Sequence, residues 1–410
     1  MRIAFVHQYF PGQFARLARH FVDEGIEVTA FYRGLRDGRS SDPVDGVHLV
    51  EYGQEIPPEP NEKRALAGTE RFIREAVSLA RKAEEMRKEG WAPDVVYSHT
   101  GWGSAAYMHD IFPQAKFIKY CEWFYNNTPE ITQFLSAAAP PTGIRIGTSL
   151  MNLPILGDLA AGDLLIAPTE FQKSQFPTSI RPSIEVAPDG VDMEFFSPDS
   201  SASFALPDGR ALTRRDRIVT YVARGADPFR GFKPFMEALA LLQAHDPSVE
   251  ALILGDRTVY YGAGHGTEVH FHEVMKSATI DPLRTHFLGK RDYASYRDVL
   301  RVSSAHVYLT VPFVLSWSML ESMATGCAVI GSDTAPVREF IRHGENGQLA
   351  NFFDPQDIAA RIEEALNSGP EIEAMRAAAR RTIDERWSAD LALVRHRELL
   401  ARVLEPFIVK

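Results

Sequence analysis

Cysteine is nearly absent from this 410-residue chain: Cys121 and Cys327 stand alone, each inside an apolar run. Two thiols so placed make no disulfide framework and read as buried free thiols of a reducing cytoplasm. Long apolar stretches are missing too. No run approaches the roughly twenty residues a membrane-spanning helix needs, and the opening MRIAFVHQ lacks the apolar core and cleavage site of a secretory leader. Basic charge is in deficit, with 44 Lys and Arg against 54 Asp and Glu and a formal charge of −10. That balance argues against nucleic acid as a partner. Solenoid-length repeats and low-complexity segments are absent. Metal-ligand spacing is lacking as well. His265, His270 and His272 are joined by no Cys and form no helical His-x-x-x-His pair, so the stretch reads as a polar loop. Gly262, Gly264 and Gly266 do not have the spacing of a dinucleotide fingerprint. A metal-free, cofactor-free protein of the cytoplasm is expected.

What remains is the composition of a globular protein, 45% hydrophobic and 24% charged, in a chain too long for one core. Short β-prone runs alternate with longer helical patterns, which predicts α/β domains with parallel sheets. Strands are expected near 3–6, 27–31, 47–51, 95–97, 117–120, 164–167 and 184–187, with helices near 13–24, 62–88, 103–111 and 170–176. The Ser/Pro/Asp-rich stretch 197–208 reads as a linker. The alternation restarts with strands near 218–222, 251–254, 285–288, 305–309 and 327–330 and helices near 233–243, 293–303, 318–325 and 355–367. The expected architecture is two Rossmann-like, doubly wound domains, residues 1–205 and 206–388, facing across a cleft. A last helix within 389–410 returns to the first domain.

The stretch LESMATGCAVIGSD, Leu320 to Asp333, carries the first chemical signal. Glu321 opens a helical pattern, Gly326 ends it, and a β-prone run follows. A helix handing over to a parallel strand sets its N-terminal amides at the sheet's carboxyl edge, where anions bind. A carboxylate there suits sugar hydroxyls while amides take the phosphate. Arg224 and Arg230 flank the loop of YVARGADPFRGF, Tyr221 to Phe232, after a strand and before a helix, and a guanidinium offers a planar fork to phosphate oxygens.

Together with PTEFQKSQFP (168–177) and VAPDGVDMEFFSP (186–198), these motifs resemble, in order and over essentially the whole chain, the retaining glycosyltransferases of family 4. VHQYFPGQF and AHVYLTVPFVLSWSMLES are similar to a bacterial branch associated with polysaccharide assembly. The resemblance implies the GT-B architecture and transfer of a sugar from a nucleoside diphosphate to a saccharide, lipid-linked or other hydroxyl acceptor. It also implies that Arg224 and Arg230 hold the diphosphate without metal, and no Asp-x-Asp triplet stands anywhere in the sequence. By the same resemblance Glu321 contacts the donor ribose, the amides of Ser316, Trp317, Ser318 and Met319 face phosphate, and the base rests near Lys290 and Arg291. Phe313 stands where the family's first glutamate is expected. A sugar-nucleotide epimerase and a non-catalytic sugar-nucleotide-binding subunit are the alternative readings.

In the first half, Gly12 and Gln13 join the first strand to its helix, as in the glycine loop that closes over the donor in related transferases. Glycine there serves close approach to a ligand or simple turn chemistry. His99 ends PDVVYSH and Glu122 ends KFIKYCE, both at carboxyl edges where ligands collect. In relatives a histidine often stands near the Glu122 position. Glu122 is expected to orient the acceptor hydroxyl or to pair with a nearby base, and His99 to be catalytic or structural. Arg71 to Lys88 is a basic amphipathic pattern, read as a helix packed on the first sheet or as a peripheral membrane contact.

Overall fold

The computed structural model describes residues 1–33, 44–53, 66–206, 208–262, 264–367 and 369–405. The chain divides into two compact units, Met1–Gly190 with Ala389–Lys410, and Val191–Ser388.

The first unit holds seven parallel strands: β1 (Arg2–Val6), β2 (Glu27–Arg33), β3 (Val47–Tyr52), β4 (Val95–His99), β5 (Lys116–Tyr120), β6 (Leu164–Ala167) and β7 (Ile184–Val186). Their order is β3-β2-β1-β4-β5-β6-β7, so it reverses between β1 and β4. Strands buried on both faces read as unbroken apolar runs. Successive residues of β1 feed opposite cores: Ile3 and Phe5 join Phe14, Leu17 and Phe21 on one side, while Ala4 and Val6 join Leu79, Ala83 and Met86 on the other. The apolar face of the helix Ala67–Lys88 thus packs on the sheet; the start expected for it, residues 62–65, lies outside the described residues. Helix Ala389–Leu404 contributes Leu399 and Leu400 to the first of these cores.

In the second unit, a hairpin of β8 (Ser203–Ala205) and β9 (Ala211–Thr213) precedes β10 (Arg217–Gly225), β11 (Val249–Asp256), β12 (Thr285–Gly289), β13 (Ala305–Tyr308), β14 (Val329–Ser332) and β15 (Gln348–Ala350). These last six form a parallel sheet ordered β12-β11-β10-β13-β14-β15, reversing between β10 and β13. The alternation of strand and helix therefore produces two doubly wound parallel sheets.

Four expectations need correction. The stretch read as a linker carries the hairpin's first strand, and its Leu206, with Phe196 and Leu212 on either side, belongs to the second unit's core. The boundary accordingly falls at Gly190/Val191 rather than at 205/206, because apolar burial outweighs local turn composition. Residues 103–111 are not one helix: a short 3-10 turn, Thr100–Trp102, and a helix, Met108–Ile111, flank left-handed Gly103. His270 and His272 lie on a helix, Val269–Ser277, not in a loop. Glu321 does not open its helix, which runs Trp317–Ala324 behind an N-cap at Ser316. Helices Thr142–Leu150, Asn152–Leu159 and Pro370–Trp387 were not anticipated; glycine and proline punctuate the first two, and tertiary packing overrides such signals.

Candidate functional site

Ligands of doubly wound domains collect at the carboxyl ends of strands where the order reverses, and each unit has such a point. In the second unit it lies beyond β10 and β13. Arg230 ends the 3-10 turn Pro228–Arg230 that follows β10, and its side chain turns back into the protein, leaving the residue 7% exposed. Nη1 donates to the Tyr308 hydroxyl at 3.1 Å and to Thr310 Oγ1 at 2.8 Å, and Nη2 donates to the Val314 carbonyl at 2.9 Å. All three acceptors are neutral. No carboxylate oxygen among the described residues lies within 4.0 Å of this guanidinium. A buried cation so placed calls for an anion.

The Tyr308 hydroxyl also accepts from the Ser316 amide at 2.7 Å. One oxygen thereby fixes the guanidinium beside the start of helix Trp317–Ala324, whose dipole favours negative charge. Ser316 caps that helix, its Oγ accepting from Ser318 N at 3.4 Å, and Met319 is fully buried in the core.

Arg224 stands differently. It is exposed near the end of β10, its guanidinium 4.3 Å above the Tyr260 ring. Asp227, wholly buried, orders the loop beneath: Oδ1 accepts from the amides of Tyr260 and Tyr261 at 2.9 and 2.8 Å. Burial raises the Asp227 pKa, and those two amide bonds together with the positive charges of Arg230 and Arg224 oppose the rise. Lys290 pairs with Asp256 at 2.7 Å and donates to the Tyr260 hydroxyl at 3.0 Å, which raises its pKa. Arg291 is exposed. Glu321 is buried in mid-helix, one oxygen accepting from the Tyr293 hydroxyl and the other from Tyr296 at 2.8 Å. A cavity of about 390 Å³ opens at the ends of β10, β11 and β12, lined by Gly225, Asp256, Phe271, Phe287 and Gly289 among others.

In the first unit the reversal point carries a hydrogen-bond chain with one direction. Tyr9 N–H donates to His7 Nδ1 at 3.0 Å, so Nε2 carries the hydrogen and meets Gln13 Oε1 at 2.9 Å. Gln13 Nε2 then donates to Glu122 Oε1 at 2.6 Å. On the other side, Gly101 N–H donates to His99 Nδ1 at 3.1 Å, and His99 Nε2 stands 3.3 Å from Glu122 Oε2, in ion-pair range. Trp102 stacks on His99 with ring centres 4.4 Å apart. Burial, then the nearby His99, lowers the His7 pKa to about 3, so His7 works as a neutral donor. Gly12 has φ +47, and a Cβ there would come within 2.4 Å of the His7 ring; glycine is needed for the imidazole to approach the chain this closely.

The structure thus brings Gln13, His99 and Glu122 together, and separately Arg230 with Ser316, while Lys290 and Glu321 are engaged by neighbours. His7, Asp227, Thr310, Tyr261 and Tyr308 escaped the sequence reading. His7 had a signal, since it follows β1 directly at a carboxyl edge. Among the described residues no group of three or more His, Cys, Asp or Glu is arranged to hold a metal, and no helix is long and apolar enough to cross a membrane.

Two doubly wound domains of this kind define the GT-B class. Residues 24–196 match the glycosyl transferase family 4 group and residues 207–382 the glycosyl transferases group 1. The chain belongs to the family 4 type of GT-B glycosyltransferases. It is 30% identical over 213 residues to a phosphatidyl-myo-inositol mannosyltransferase of Mycobacterium tuberculosis, an alignment covering 51% of this chain and 49% of that one. It therefore spans about half the length of that relative. A D-inositol 3-phosphate glycosyltransferase of Acidothermus cellulolyticus is 25% identical over 405 residues, 91% of this chain and 81% of the relative. The crystal structure of Anabaena HepE in complex with UDP superposes with a TM-score of 0.65 at 16% identity, over 98% of this chain and 100% of that one.

Proposed function

We propose that this protein is a retaining glycosyltransferase that moves a sugar from a nucleoside diphosphate to an acceptor hydroxyl without a metal ion, in bacterial polysaccharide or glycolipid assembly. The observation that carries the proposal is Arg230, a buried guanidinium whose hydrogen-bond acceptors among the described residues are all neutral, beside a helix N-terminus. The bond from C1 of the sugar to the β-phosphate oxygen breaks, and its electron pair leaves with the diphosphate toward Arg230, Arg224 and the amides that follow Ser316. The acceptor oxygen bonds to C1 from the same face, and a phosphate oxygen takes its proton. Such preorganised donors contribute about 2–4 kcal/mol each to the transition state. Glu321 receives the ribose hydroxyls where the Tyr293 hydroxyl now sits, and the base lies near Lys290 and Arg291. In the first unit Glu122, held by Gln13 and His99, accepts from the acceptor hydroxyl. The UDP named with the Anabaena protein and the inositol lipid named with the mycobacterial enzyme support these substrate classes.

The test is thermal stabilisation by UDP, GDP and ADP and their sugars, with and without Mg²⁺. At least one nucleotide should raise Tm by an amount set by its concentration over Kd, equally without Mg²⁺, and Arg230→Met should abolish the shift. Binding by none of them ends the proposal. Phe313, in place of a carboxylate expected near the sugar, favours a second reading as a non-catalytic binding subunit. That reading predicts the same shifts with neither transfer nor donor hydrolysis.

A further inference from the structure

Two buried imidazoles converge on one accessible carboxylate in the first unit, and a backbone amide sets the direction of each. Glu122 follows β5 with 27% of its side chain exposed. Its carbonyl accepts at 2.9 Å from Nε2 of Gln172, a buried residue of the short helix Glu170–Ser174 after β6. With the main chain so anchored, the two carboxylate oxygens are met separately, Oε1 by Gln13 at 2.6 Å and Oε2 by His99 at 3.3 Å.

His99 and His7 repeat one device. In each, ring Nδ1 accepts the amide N–H two residues on, from Gly101 for His99 and from Tyr9 for His7. A backbone N–H has no reversed form, so the neutral ring must carry its hydrogen on Nε2. A glycine grants each ring its place: a Cβ on Gly101 would stand 2.7 Å from the His99 ring, as one on Gly12 would stand 2.4 Å from His7. His99 faces Glu122 directly. His7 is buried behind it and reaches the carboxylate through Gln13.

A carboxamide can turn over where an imidazole locked by a backbone amide cannot. Turned over, Gln13 sets its oxygen against Glu122 Oε1, two acceptors with a hydrogen for neither. The Nε2–H of His7 is satisfied by the oxygen end of the amide alone, and so excludes that rotamer. A Lys or Arg in its place would pair with Glu122 and draw the negative charge inward, whereas a neutral ring sets direction without competing for it. We infer that His7 is a positioning residue for the reaction: acting through Gln13, it holds the exposed carboxylate of Glu122 in one orientation toward the acceptor hydroxyl. This inference rests on the reading of Glu122 as the group that meets that hydroxyl.

Two substitutions divide the ring's nitrogens. His7→Asn keeps an acceptor where Nδ1 meets Tyr9 and has nothing to reach Gln13. His7→Gln keeps an N–H where Nε2 donates and loses the Nδ1 acceptor. The readout is sugar release from UDP-glucose, GDP-mannose and ADP-glucose by the full-length chain, with water as acceptor. His7→Asn should lower kcat roughly tenfold with the donor's KM within about twofold, and His7→Gln should recover most of that loss. A histidine that serves only Tyr9 and packing gives the reverse order, which overturns the inference. Gln13→Met should match His7→Asn, and the two together should cost no more than either; a further multiplied loss overturns the path through Gln13. Should His7→Asn fail to fold, His7→Phe takes its place, since the ring space beside Phe14 and Trp102 stays filled. In the unmodified chain, nitrogen NMR should find the His7 hydrogen on Nε2, and a hydrogen on Nδ1 overturns the inference without any assay. Failure of the unmodified chain to release sugar from all three donors overturns the transferase reading and this inference with it.

Discussion

The two reversal points occupy the same place in two similar sheets and are built from opposite materials. The second unit buries a guanidinium among neutral oxygens and rings. The first runs a hydrogen-bond chain from a neutral imidazole through an amide to a carboxylate. A buried cation whose hydrogen-bond acceptors are all neutral favours an anion, while a carboxylate whose orientation is set by donors favours hydroxyl protons. Equivalent topology thus carries unlike chemistry, because chemistry lives in the loops and not in the strands.

The sharpest way to break the comparison is Arg230→Met. With turnover resting on that cation, kcat/KM should fall roughly 10²–10³-fold, a far larger effect than the modest fall in Tm from leaving Thr310 and the Val314 carbonyl short of a donor. Near-normal turnover would make the cation structural. Arg224→Met, at an exposed position, should cost distinctly less in the same assay.

Glu122→Gln probes the other side. It should lower transfer about 10–100-fold, with donor affinity unchanged when measured by nucleotide titration. A loss of nucleotide binding instead would erase the division of labour between the units.

Gly12→Ala disturbs the first unit alone. A side chain at φ +47 that presses on His7 should cost about 1–2 kcal/mol in denaturant unfolding and reduce transfer through a displaced Gln13.

Acid destabilises both units. Burial lowers His7 and His306 to about 3 and His396 to about 4. Unfolded, each titrates near 6.5 and takes up protons the folded form refuses, so their stabilisation is complete above that value. It is lost as pH falls from 6.5 toward the folded values, by up to about 1.4 kcal/mol per pH unit for each histidine. Tm should decline over that window, and His396→Gln should flatten the decline. A Tm that rises on acidification would contradict the neutral, buried state.

The local sequence carried much of the fold. Unbroken apolar runs such as Ile3–Val6 and Leu164–Ala167 coincide with described strands, because a strand covered on both faces must be apolar throughout. Arg230 and Ser316 were legible as loop residues between a strand and a helix. The hairpin in the supposed linker was not, since Phe196 and Leu206 become core residues only once the second sheet exists. The roles of His7 and Asp227 were hidden for a similar reason: each acts through a segment far along the chain, Glu122 by way of Gln13 for one and Tyr260–Tyr261 for the other.

By itself, then, the sequence determined the alternation, the two parallel sheets and the residue types at their carboxyl edges, because these follow from periodicity and local propensity. Only the tertiary structure decided that Arg230 is buried without a carboxylate, that Glu321 is held by two tyrosines, and that the rings of Phe229 and Tyr261 meet Phe313. Those are contacts between segments separated by tens of residues, and packing, not local preference, sets them.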